Sequence, residues 1–411
     1  MKILQINKFL YNRGGAETHL LDLADLLTAH GQEVGFFSTQ SEKNRPTPFN
    51  RYFTPYVEMR DQKNWLGKIK TFGHILYSLE VAKKLDLLLK DFQPEVAHLH
   101  NIYHHLSPSI LPVLKKHHIP TVMTLHDYKL ISPNYRLFDR GQICECVKGG
   151  HYFNCVKHKC VFNNTSASLA AALEMSFHKC LKIYEKNIDL FIAPSQFLKN
   201  KMVEFGQNPD KIVVLPNFIN LTLPASHATL GNYLLYTGRL VEEKGLMTLL
   251  DAAKLIPEIP IRIMGTGPLH NDLFNRIMLE QINNVKLLGY KTGDDWQKEL
   301  DGARAYVLPS IWYENYPISL LEASVRGKIT FASRVGGLPE MINDGVDGVL
   351  FEMGQAEELA SKIKSFWSDE ARLKQMGQAA QQRVLTQNNP ENYYQKIMGI
   401  YKSLIKTCTS S

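Results

Sequence analysis

The sequence contains 411 residues, 44% of them hydrophobic and 21% charged, and its net charge is +7. This composition is that of a soluble globular protein, and the length favours two or three domains, each able to bury a substantial core. The chain has no run of 18 apolar residues. Its first ten residues read as a buried strand rather than a signal peptide, so we expect a cytoplasmic protein without a membrane span.

The excess of positive charge lies in the N-terminal half. Residues 1–190 contain 24 Lys and Arg against 17 Asp and Glu, whereas residues 191–411 contain 23 of each. A basic half favours an anionic partner, such as lipid head groups, a lipid-diphosphate acceptor or nucleic acid. We predict that this half can dock on the anionic inner face of the cell membrane; the alternative is that these charges are only solvated.

The chain opens with a strand at residues 2–6, a loop ending in Gly14 and Gly15, a helix over residues 16–30 and a strand at 33–38. This is the first βαβ unit of a doubly wound sheet. The loop sequence GGAE lacks the G-x-G-x-x-G fingerprint, but glycines still let the backbone approach a diphosphate at the helix start. The alternative is a plain tight turn.

The first half continues the alternation of strands and helices. After a polar loop at 41–63 we predict helices at 65–92, 107–117, 165–186 and 195–204, and strands at 95–99, 120–125, 190–194 and 211–215. His100 and His126 follow two of these strands. The carboxyl ends of parallel strands line the crevice in which ligands bind, although most histidines are structural.

An insertion at about residues 134–165 contains four cysteines within 17 residues: Cys144, Cys146, Cys155 and Cys160. Disulfides are disfavoured in a reducing cytoplasm, so we expect a structural zinc ion on these four thiols. Reduced packing thiols or redox-active disulfides are the alternatives. The metal would stiffen a segment that has no core of its own.

The second half begins after a linker candidate at 220–231. A strand at 233–237 is followed by Gly238, Arg239 and Lys244 before a helix, and Gly265 follows the next strand. Arginine binds a phosphate bidentately and lysine supplies a compact charge, so this loop suits a diphosphate; a solvated loop is the alternative. Strands at 285–288, 305–308 and 330–332 continue the alternation.

Residues 310–322, SIWYENYPISLLE, run from a strand through a turn into a helix over 318–325. Pro317 stands at the helix start, where proline is tolerated, and the amides of the first turn attract a phosphate. Glu314 and Glu322 flank this start with seven residues between them. Two carboxylates beside a phosphate suit a nucleotide sugar, one near each sugar ring; a solvated pair is the alternative.

This E-x7-E pattern, followed by Ala323 and Gly327, resembles the signature of the retaining glycosyltransferases of family 4. The resemblance implies an α/β fold of GT-B architecture: two Rossmann-like, doubly wound parallel-sheet domains that face each other across a cleft. Residues 1–220 would form the acceptor-side domain and 221–389 the nucleotide-sugar domain. Residues 390–411 would form a C-terminal helix that returns to the first domain.

The resemblance also implies roles for individual residues. Glu314 would contact the donor sugar, and His126 would lie beside that sugar and help to stabilise its positive charge. Arg239 and Lys244 would bind the diphosphate, so that His126, Arg239, Lys244 and Glu314 form the catalytic set. The remaining predicted donor contacts are Gly14, Gly15, Gly238, Gly265, Tyr290 (at the base), Asn315, Tyr316, Pro317, Ile318 and Glu322 (at the ribose).

The implied reaction moves a sugar from a UDP- or GDP-linked donor to a hydroxyl of a glycan or lipid-linked acceptor, in bacterial lipopolysaccharide or capsule synthesis. No D-x-D motif is present, so we expect no metal cofactor in catalysis, the cations replacing it at the leaving diphosphate. No nucleophilic carboxylate stands out, which favours front-face attack. Relatives commonly have glycine where this chain has Asn315, and this leaves the donor sugar open.

Two other functions fit parts of the sequence. A nucleotide-sugar epimerase or hydrolase could use the same scaffold without an acceptor. A zinc-containing nucleic-acid-binding protein would account for the cysteines and the charge. Against the latter, the basic residues are not interleaved with aromatic ones and no recognition motif is present, so we expect no nucleic-acid partner.

Overall fold

The structure is a computed structural model that describes residues 1–58, 65–220 and 230–410. Parts of the predicted polar loop and of the predicted linker lie outside these residues. The chain forms two compact units. The first consists of Met1–Arg136, Glu145–Pro216 and Glu391–Ser411, and the second of Leu137–Cys144 and Asn217–Pro390. Residues 137–144, which we assigned to the N-terminal domain with the rest of the insertion, thus belong to the second unit.

The elements up to residue 216 are β1 (Lys2–Ile6), α1 (Gly15–Ala29), β2 (Glu33–Phe37), α2 (Trp65–Leu76), α3 (Leu79–Phe92), β3 (Val96–Leu99), α4 (Ile110–Lys116), β4 (Thr121–Thr124), β5 (Phe138–Asp139), β6 (Gln142–Ile143), α5 (Asn154–His158), α6 (Thr165–Leu181), α7 (Ile183–Asn187), β7 (Leu190–Ala193), α8 (Gln196–Glu204) and β8 (Ile212–Val214). Short 3₁₀ turns cover Pro48–Tyr52, Lys148–Gly150 and Pro209–Lys211. Strands β5 and β6 form a separate antiparallel hairpin.

The first sheet has six parallel strands in the order β2-β1-β3-β4-β7-β8. Its strands are apolar because helices cover both faces of such a sheet; Ile3, Leu4 and Ile6 of β1 are fully buried. The chain steps from β1 outward to β2 and then crosses to β3 on the other side of β1. The topological switch point, where ligands bind in sheets of this kind, therefore lies between β1 and β3.

Two helical segments predicted as continuous are each divided in the structure. The segment 65–92 breaks between α2 and α3, where the Ser78 hydroxyl caps α3 by accepting a hydrogen bond from the Val81 amide. The segment 165–186 breaks at Lys182, which has a left-handed backbone with φ of 51°. Apolar periodicity does not reveal such breaks, because the apolar faces continue on both sides of them.

The elements after residue 230 are β9 (Leu234–Thr237), α9 (Leu246–Leu255), β10 (Ile261–Met264), α10 (His270–Leu279), β11 (Val285–Gly289), α11 (Gly293–Asp301), β12 (Ala305–Leu308), α12 (Ile318–Val325), β13 (Thr330–Ser333), α13 (Leu338–Met341), β14 (Val349–Phe351), α14 (Ala356–Trp367), α15 (Glu370–Gln387) and α16 (Pro390–Ser410). A 3₁₀ turn, Glu242–Lys244, precedes α9.

The second sheet has six parallel strands in the order β11-β10-β9-β12-β13-β14. This is the strand order of the dinucleotide-binding fold, with the switch point between β9 and β12. One apolar cluster includes Leu249 and Ile263, and a second includes Leu320 and Tyr306, both around this sheet. The predicted fold class, two Rossmann-like domains with parallel sheets, is confirmed.

The last helix, α16, packs in the first unit. Tyr393, Ile397 and Tyr401 are buried there. The Tyr401 hydroxyl lies 2.7 Å from Nδ1 of His98, and the Tyr393 hydroxyl 3.2 Å from Nε2 of His19. The chain thus returns to its first unit at the end. Among the described helices, none combines the length and the apolar character that a membrane span requires.

Candidate active site

The residues predicted to bind a diphosphate and a donor sugar leave the second sheet at its switch point. Arg239 and Lys244 follow β9, and Glu314 follows β12. Because β9 and β12 are neighbours that begin the two halves of the sheet, the loops after them emerge side by side. These residues therefore lie where sheets of this kind bind ligands.

The loops after β9 and β10 touch through their glycines. Gly265 has a φ of 146°, and a Cβ on it would lie 1.8 Å from the carbonyl oxygen of Gly238. The Gly238 amide in turn donates to the Met264 carbonyl. Only glycine permits this approach and this backbone, and so the sequence signal at Gly238 and Gly265 has a structural cause.

Lys244 and Glu314, which are 70 residues apart in the sequence, form an ion pair. The Lys244 ammonium donates to Oε1 of Glu314 at 2.6 Å, and the side chains are only 16% and 5% exposed. The ammonium also lies 5.3 Å from the centre of the Trp312 ring. Two residues that the sequence suggested for the donor thus meet at one point.

The approach of the two loops explains this contact. The amide of Ile311 donates to the carbonyl of Glu243, which joins the loop after β12 to the 3₁₀ turn before α9. Gly245 ends that turn with a φ of 67°, and a Cβ there would lie 1.8 Å from the Pro309 carbonyl oxygen. The 3₁₀ turn therefore packs closely against the loop after β12 and places Lys244 beside Glu314.

Glu314 is an ionised carboxylate held by its neighbours. Burial alone would raise the pKa of Glu314, but the Lys244 ammonium and hydrogen bonds from Lys244 and Ser310 outweigh it and hold that pKa below its ordinary value. The Ser310 hydroxyl donates to Oε1 of Glu314 at 2.6 Å, and the Gly337 amide donates to the backbone carbonyl of Glu314 at 2.7 Å. Sequence reasoning missed Ser310 and Gly337 as supports, because only the folded loops bring them to Glu314.

Arg239 differs from Lys244 in its exposure. Its side chain is 62% exposed, and its guanidinium lies 3.6 Å from the buried carboxylate of Glu243. Its backbone carbonyl accepts a hydrogen bond from the Tyr236 hydroxyl at 2.9 Å. The backbone of Arg239 is therefore fixed, whereas its charged end can reach a ligand.

Helix α12 begins at Ile318, as predicted, but Pro317 is its N-cap residue and not its first helical residue. No side chain caps the start of α12, so its first-turn amides are those that a phosphate could contact. Glu322 lies half-buried in the second turn. The helix start on which the predicted phosphate site depends is therefore present in the structure.

Three other predicted donor contacts have different surroundings. Asn315 is buried beside Glu314. The side-chain amide of Asn388 donates to the Tyr316 hydroxyl at 2.9 Å, and that of Asn217 to the Tyr316 carbonyl at 3.1 Å, so Tyr316 holds the ends of the second unit together. Tyr290 follows β11 with its side chain 69% exposed.

In the first unit, Gly14 caps α1 and Gly15 is its first residue. A Cβ on Gly15 would meet no atom within 4 Å, which leaves the helix start open. The carboxyl group of Glu17 is buried in the first turn, 3.4 Å from the side-chain amide of Asn7, and burial raises the pKa of Glu17. An anion bound at the start of α1 would lie close to the carboxyl group of Glu17. The role of Gly14 and Gly15 in binding the donor stays a prediction.

His126 follows the carboxyl end of β4, is half-buried, and lies against the buried histidines His19 and His100. Its Nε2 lies 2.9 Å from Nδ1 of His100, whose Nε2 lies 2.9 Å from Oε1 of Gln5. His19 packs edge-on against His126, with ring centres 5.5 Å apart. Burial and the neighbouring imidazoles lower the pKa of His126 well below its ordinary value. The ring is therefore neutral near pH 7, and the contact with His100 fixes its orientation.

Three of the four cysteines predicted as zinc ligands lie together. The Sγ atoms of Cys144, Cys146 and Cys160 are within 4.8 Å of one another, in a search of the described residues. Cys155 is buried but is not part of this group. Three of the four predicted thiols thus lie within range of a single metal ion.

Comparison with known proteins identifies the family of this chain. Residues 13–223 match the family described as Glycosyltransferase Family 4, and residues 225–383 match Glycosyl transferases group 1. An uncharacterized 42.6 kDa protein in the cps region of Klebsiella pneumoniae is 27% identical over 354 residues, or 83% of this chain and 87% of that protein. The UDP-Gal:alpha-D-GlcNAc-diphosphoundecaprenol alpha-1,3-galactosyltransferase of Escherichia coli is 25% identical over 262 residues, 57% of this chain and 67% of that one.

Solved structures show the same architecture. Sucrose-phosphate synthase from Thermosynechococcus elongatus superposes with a TM-score of 0.73 at 18% identity and covers 99% of each chain. Anabaena Alr3699/HepE in complex with UDP and glucose superposes with a TM-score of 0.65 at 20% identity, over 98% of this chain and 100% of that one. The chain therefore belongs to glycosyltransferase family 4, and it is a glycosyltransferase of the GT-B fold.

Proposed function

We propose that this glycosyltransferase moves a sugar, with retention of configuration and without a catalytic metal, from a nucleoside-diphosphate donor to a hydroxyl of a glycan or lipid-linked acceptor. The observation that carries the proposal is the Lys244–Glu314 pair at the switch point of the second sheet, with Arg239 on the same loop as Lys244. The pathway we propose is synthesis of a bacterial surface polysaccharide, since the Klebsiella relative is named for its cps region.

The donor diphosphate would bind between the two cations and the start of α12. An ammonium has three N–H donors, so the bond from Lys244 to Glu314 leaves two for phosphate oxygens. Arg239 is exposed enough to close over a phosphate bidentately. We propose a uridine donor, because the Escherichia coli relative is named for UDP-Gal and the Anabaena structure holds UDP.

Glu314 would hold hydroxyls of the donor sugar, and Glu322 those of the ribose. As the bond to the donor breaks, negative charge grows on the leaving diphosphate, where Lys244, Arg239 and the α12 dipole oppose it. Positive charge grows on the sugar ring, which a neutral His126 would not repel. In front-face attack the acceptor hydroxyl adds on the side that the diphosphate leaves, and its proton passes to the diphosphate oxygen.

The acceptor would come from a membrane surface. Helix α6 of the first unit exposes a stripe formed by Leu169, Leu173, Phe177 and Leu181, each more than 40% exposed. These residues recur every four positions and so lie on one face, while Ala172 and Met175 on the other face are buried. The exposed α6 stripe, in a basic half of the chain, suits an anionic lipid surface.

Calorimetry with UDP and GDP, without added metal, tests the donor site. We expect UDP to bind to the wild type and to lose at least about tenfold in affinity in Lys244→Ala and in Arg239→Ala, that is, about 1.4 kcal/mol or more. Lys254 is an exposed lysine of the same unit. The matched control is therefore Lys254→Ala, which should bind UDP as the wild type does. Loss of affinity in Lys254→Ala, or no binding of either nucleotide, would contradict the proposed donor site.

Nuclear magnetic resonance of the product tests the reaction. With a UDP-sugar and a lipid-diphosphate-linked sugar as acceptor, we expect a new glycosidic bond with the anomeric configuration of the donor. Inversion would remove the front-face mechanism. Free sugar formed at the same rate with and without acceptor would identify a hydrolase, and interconversion of the donor an epimerase.

A further inference from the structure

The insertion brings its thiols to the separation that a tetrahedral metal requires. The Sγ atoms of Cys146 and Cys160 lie 3.7 Å apart, and Cys144 completes a group within 4.8 Å. Four sulfur ligands at about 2.3 Å from a zinc ion stand about 3.8 Å from one another at tetrahedral angles. A disulfide would need about 2.05 Å between the two sulfur atoms. The observed separation therefore fits ligands of one ion and not a covalent bond.

The backbone around these thiols is held in place by local hydrogen bonds. The Cys144 amide donates to the Leu137 carbonyl at 2.8 Å, and the Asn154 side-chain amide donates to the Cys146 carbonyl at 2.7 Å. Lys159, with a left-handed φ of 53°, turns the chain after α5 so that the Cys160 amide donates to the Cys155 carbonyl. Cys155, which is fully buried, thus lies one turn from Cys160.

The regular secondary structure of the same segment is short. Its elements are two strands of two residues, a 3₁₀ turn of three and a helix of five. Isolated elements this short are unstable in water, because nucleating a helix or pairing two strands costs more than so few bonds return. A metal ion bound by thiolates adds folding free energy to a segment built from such short elements.

We propose that Cys144, Cys146 and Cys160 bind one Zn²⁺ as thiolates, and that the buried side chain of Cys155, which lies outside this group, turns in as the fourth ligand when the ion binds. Four protein ligands close the site to substrate, so the ion is structural and takes no part in sugar transfer. This proposal does not depend on the proposed function of the protein.

Metal analysis of the full chain, purified under reducing conditions without chelator, is the first test. We expect about one zinc per chain in the wild type, loss of the zinc in Cys146→Ser and Cys160→Ser, and faster loss to a chelator in Cys155→Ser. Cys180 is an exposed cysteine of α6. The matched control is therefore Cys180→Ser, which should retain the metal. Equal retention in Cys155→Ser and the control would overturn the four-thiol site.

Two measurements on the wild type keep the proposal testable if the serine variants do not fold. Cobalt substituted for zinc should give the visible absorption bands of a tetrahedral thiolate complex. Mass spectrometry should find all six cysteines reduced. A Cys146–Cys160 disulfide, an octahedral cobalt spectrum, or a reduced protein that takes up no added zinc would each overturn the proposal. The calorimetry with UDP reports on the second sheet, so its failure and that of the zinc site are distinguishable.

Discussion

At the residue scale, the Lys244–Glu314 pair, which we propose as part of the donor site, should also stabilise the second unit. Both side chains are largely withdrawn from water, so Lys244→Ala leaves a buried carboxylate without its cation. We expect Lys244→Ala to lower the free energy of unfolding of the second unit by about 3 kcal/mol. In Lys244→Ala combined with Glu314→Gln the loss should be smaller, because the uncompensated charge is gone. Urea unfolding of Lys244→Ala, Glu314→Gln and the double variant measures this coupling.

The exposed pair Lys254–Glu280 provides the control for this cycle. Both of its side chains are at least one-third exposed, so water screens their interaction, and Lys254→Ala should leave the unfolding transition nearly unchanged. If the losses of Lys244→Ala and Glu314→Gln simply added in the double variant, the two residues would not interact, and the donor site would need a different basis.

The buried histidines of the first unit predict a dependence of stability on pH. Burial lowers the pKa of His98 to about 3 and that of His19 to about 4, whereas in an unfolded chain both are near 6.5. Between pH 6.5 and 4 the unfolded state binds more protons, so stability falls as the pH falls. Each histidine contributes a slope of up to about 1.4 kcal/mol per pH unit.

Replacing His98 by glutamine isolates this effect. Glutamine can still hydrogen bond with Tyr401 and Thr124, the two partners of His98, but it does not titrate. We expect the slope of unfolding free energy between pH 6 and 5 to fall by about 1 kcal/mol per pH unit in His98→Gln. Unfolding curves at pH 7, 6 and 5 measure it, and parallel slopes in variant and wild type would mean that His98 carries a proton in the folded state.

The sequence was informative about residues whose neighbours along the chain define their chemistry. Arg239 and Lys244 follow a strand and precede a helix, which is enough to expect a phosphate site. Ser310 and Gly337 gave no such signal, because each contacts Glu314 only after the loops have folded. The hydrogen bonds of Tyr316 to residues near both ends of the second unit were equally hidden, since they join positions distant in sequence.

At the element scale, the contact between the loops after β9 and β10 depends on a missing side chain. Gly265→Ala places a Cβ against the Gly238 carbonyl and forces alanine into a backbone region that it rarely adopts. We expect a loss of about 1–3 kcal/mol in stability from the strain and weaker UDP binding, because the Gly238–Arg239 backbone must move. Thermal unfolding and calorimetry measure the two effects.

Gly399 in α16 is the matched control, because a Cβ there would meet no atom within 4 Å. It lies in a helix interior, so Gly399→Ala should stabilise the protein by about 0.5–1 kcal/mol and leave UDP binding unchanged. If Gly265→Ala behaved like Gly399→Ala, the close approach of the two loops would not matter for the donor site.

Elements were easier to predict than their interruptions. The strands of both sheets carry apolar runs bounded by glycine, proline or polar residues, which is the pattern of buried parallel strands. The breaks at Ser78 and Lys182 depend on one capping hydroxyl and one left-handed residue. Neither changes the spacing of apolar residues on the helix faces, and so periodicity alone predicted one long helix in each place.

At the scale of the whole molecule, two segments belong to a different unit from their neighbours in the sequence. The sequence predicts one of them only through the family resemblance and does not predict the other. The return of residues 391–411 to the first unit was expected only from the family resemblance, since buried Tyr401 and Ile397 look in the sequence like any apolar helix face. The placement of residues 137–144 in the second unit had no local signal. Both depend on packing between residues far apart in the chain.

The basic first unit and the α6 stripe lead to a prediction about the whole protein on membranes. We expect co-sedimentation with vesicles that contain phosphatidylglycerol, weaker binding at high salt and little binding to purely zwitterionic vesicles. Lys157 and Lys159, which are exposed beside α6, would each contribute about 1 kcal/mol near an anionic surface. Apolar burial of stripe residues would add about 1.5–3 kcal/mol for each fully buried side chain.

Leu173→Glu combined with Phe177→Glu separates the stripe from the general charge. Both side chains already face solvent, so the variant should fold normally but bind anionic vesicles at least about tenfold more weakly. Leu279→Glu, at an exposed leucine of the second unit, adds a carboxylate elsewhere and should bind as the wild type does. Equal weakening in both variants would reduce the interaction to net charge. Unchanged binding in the double variant would show that α6 is not the surface that meets the lipid, and the acceptor would then have to reach the enzyme by another face.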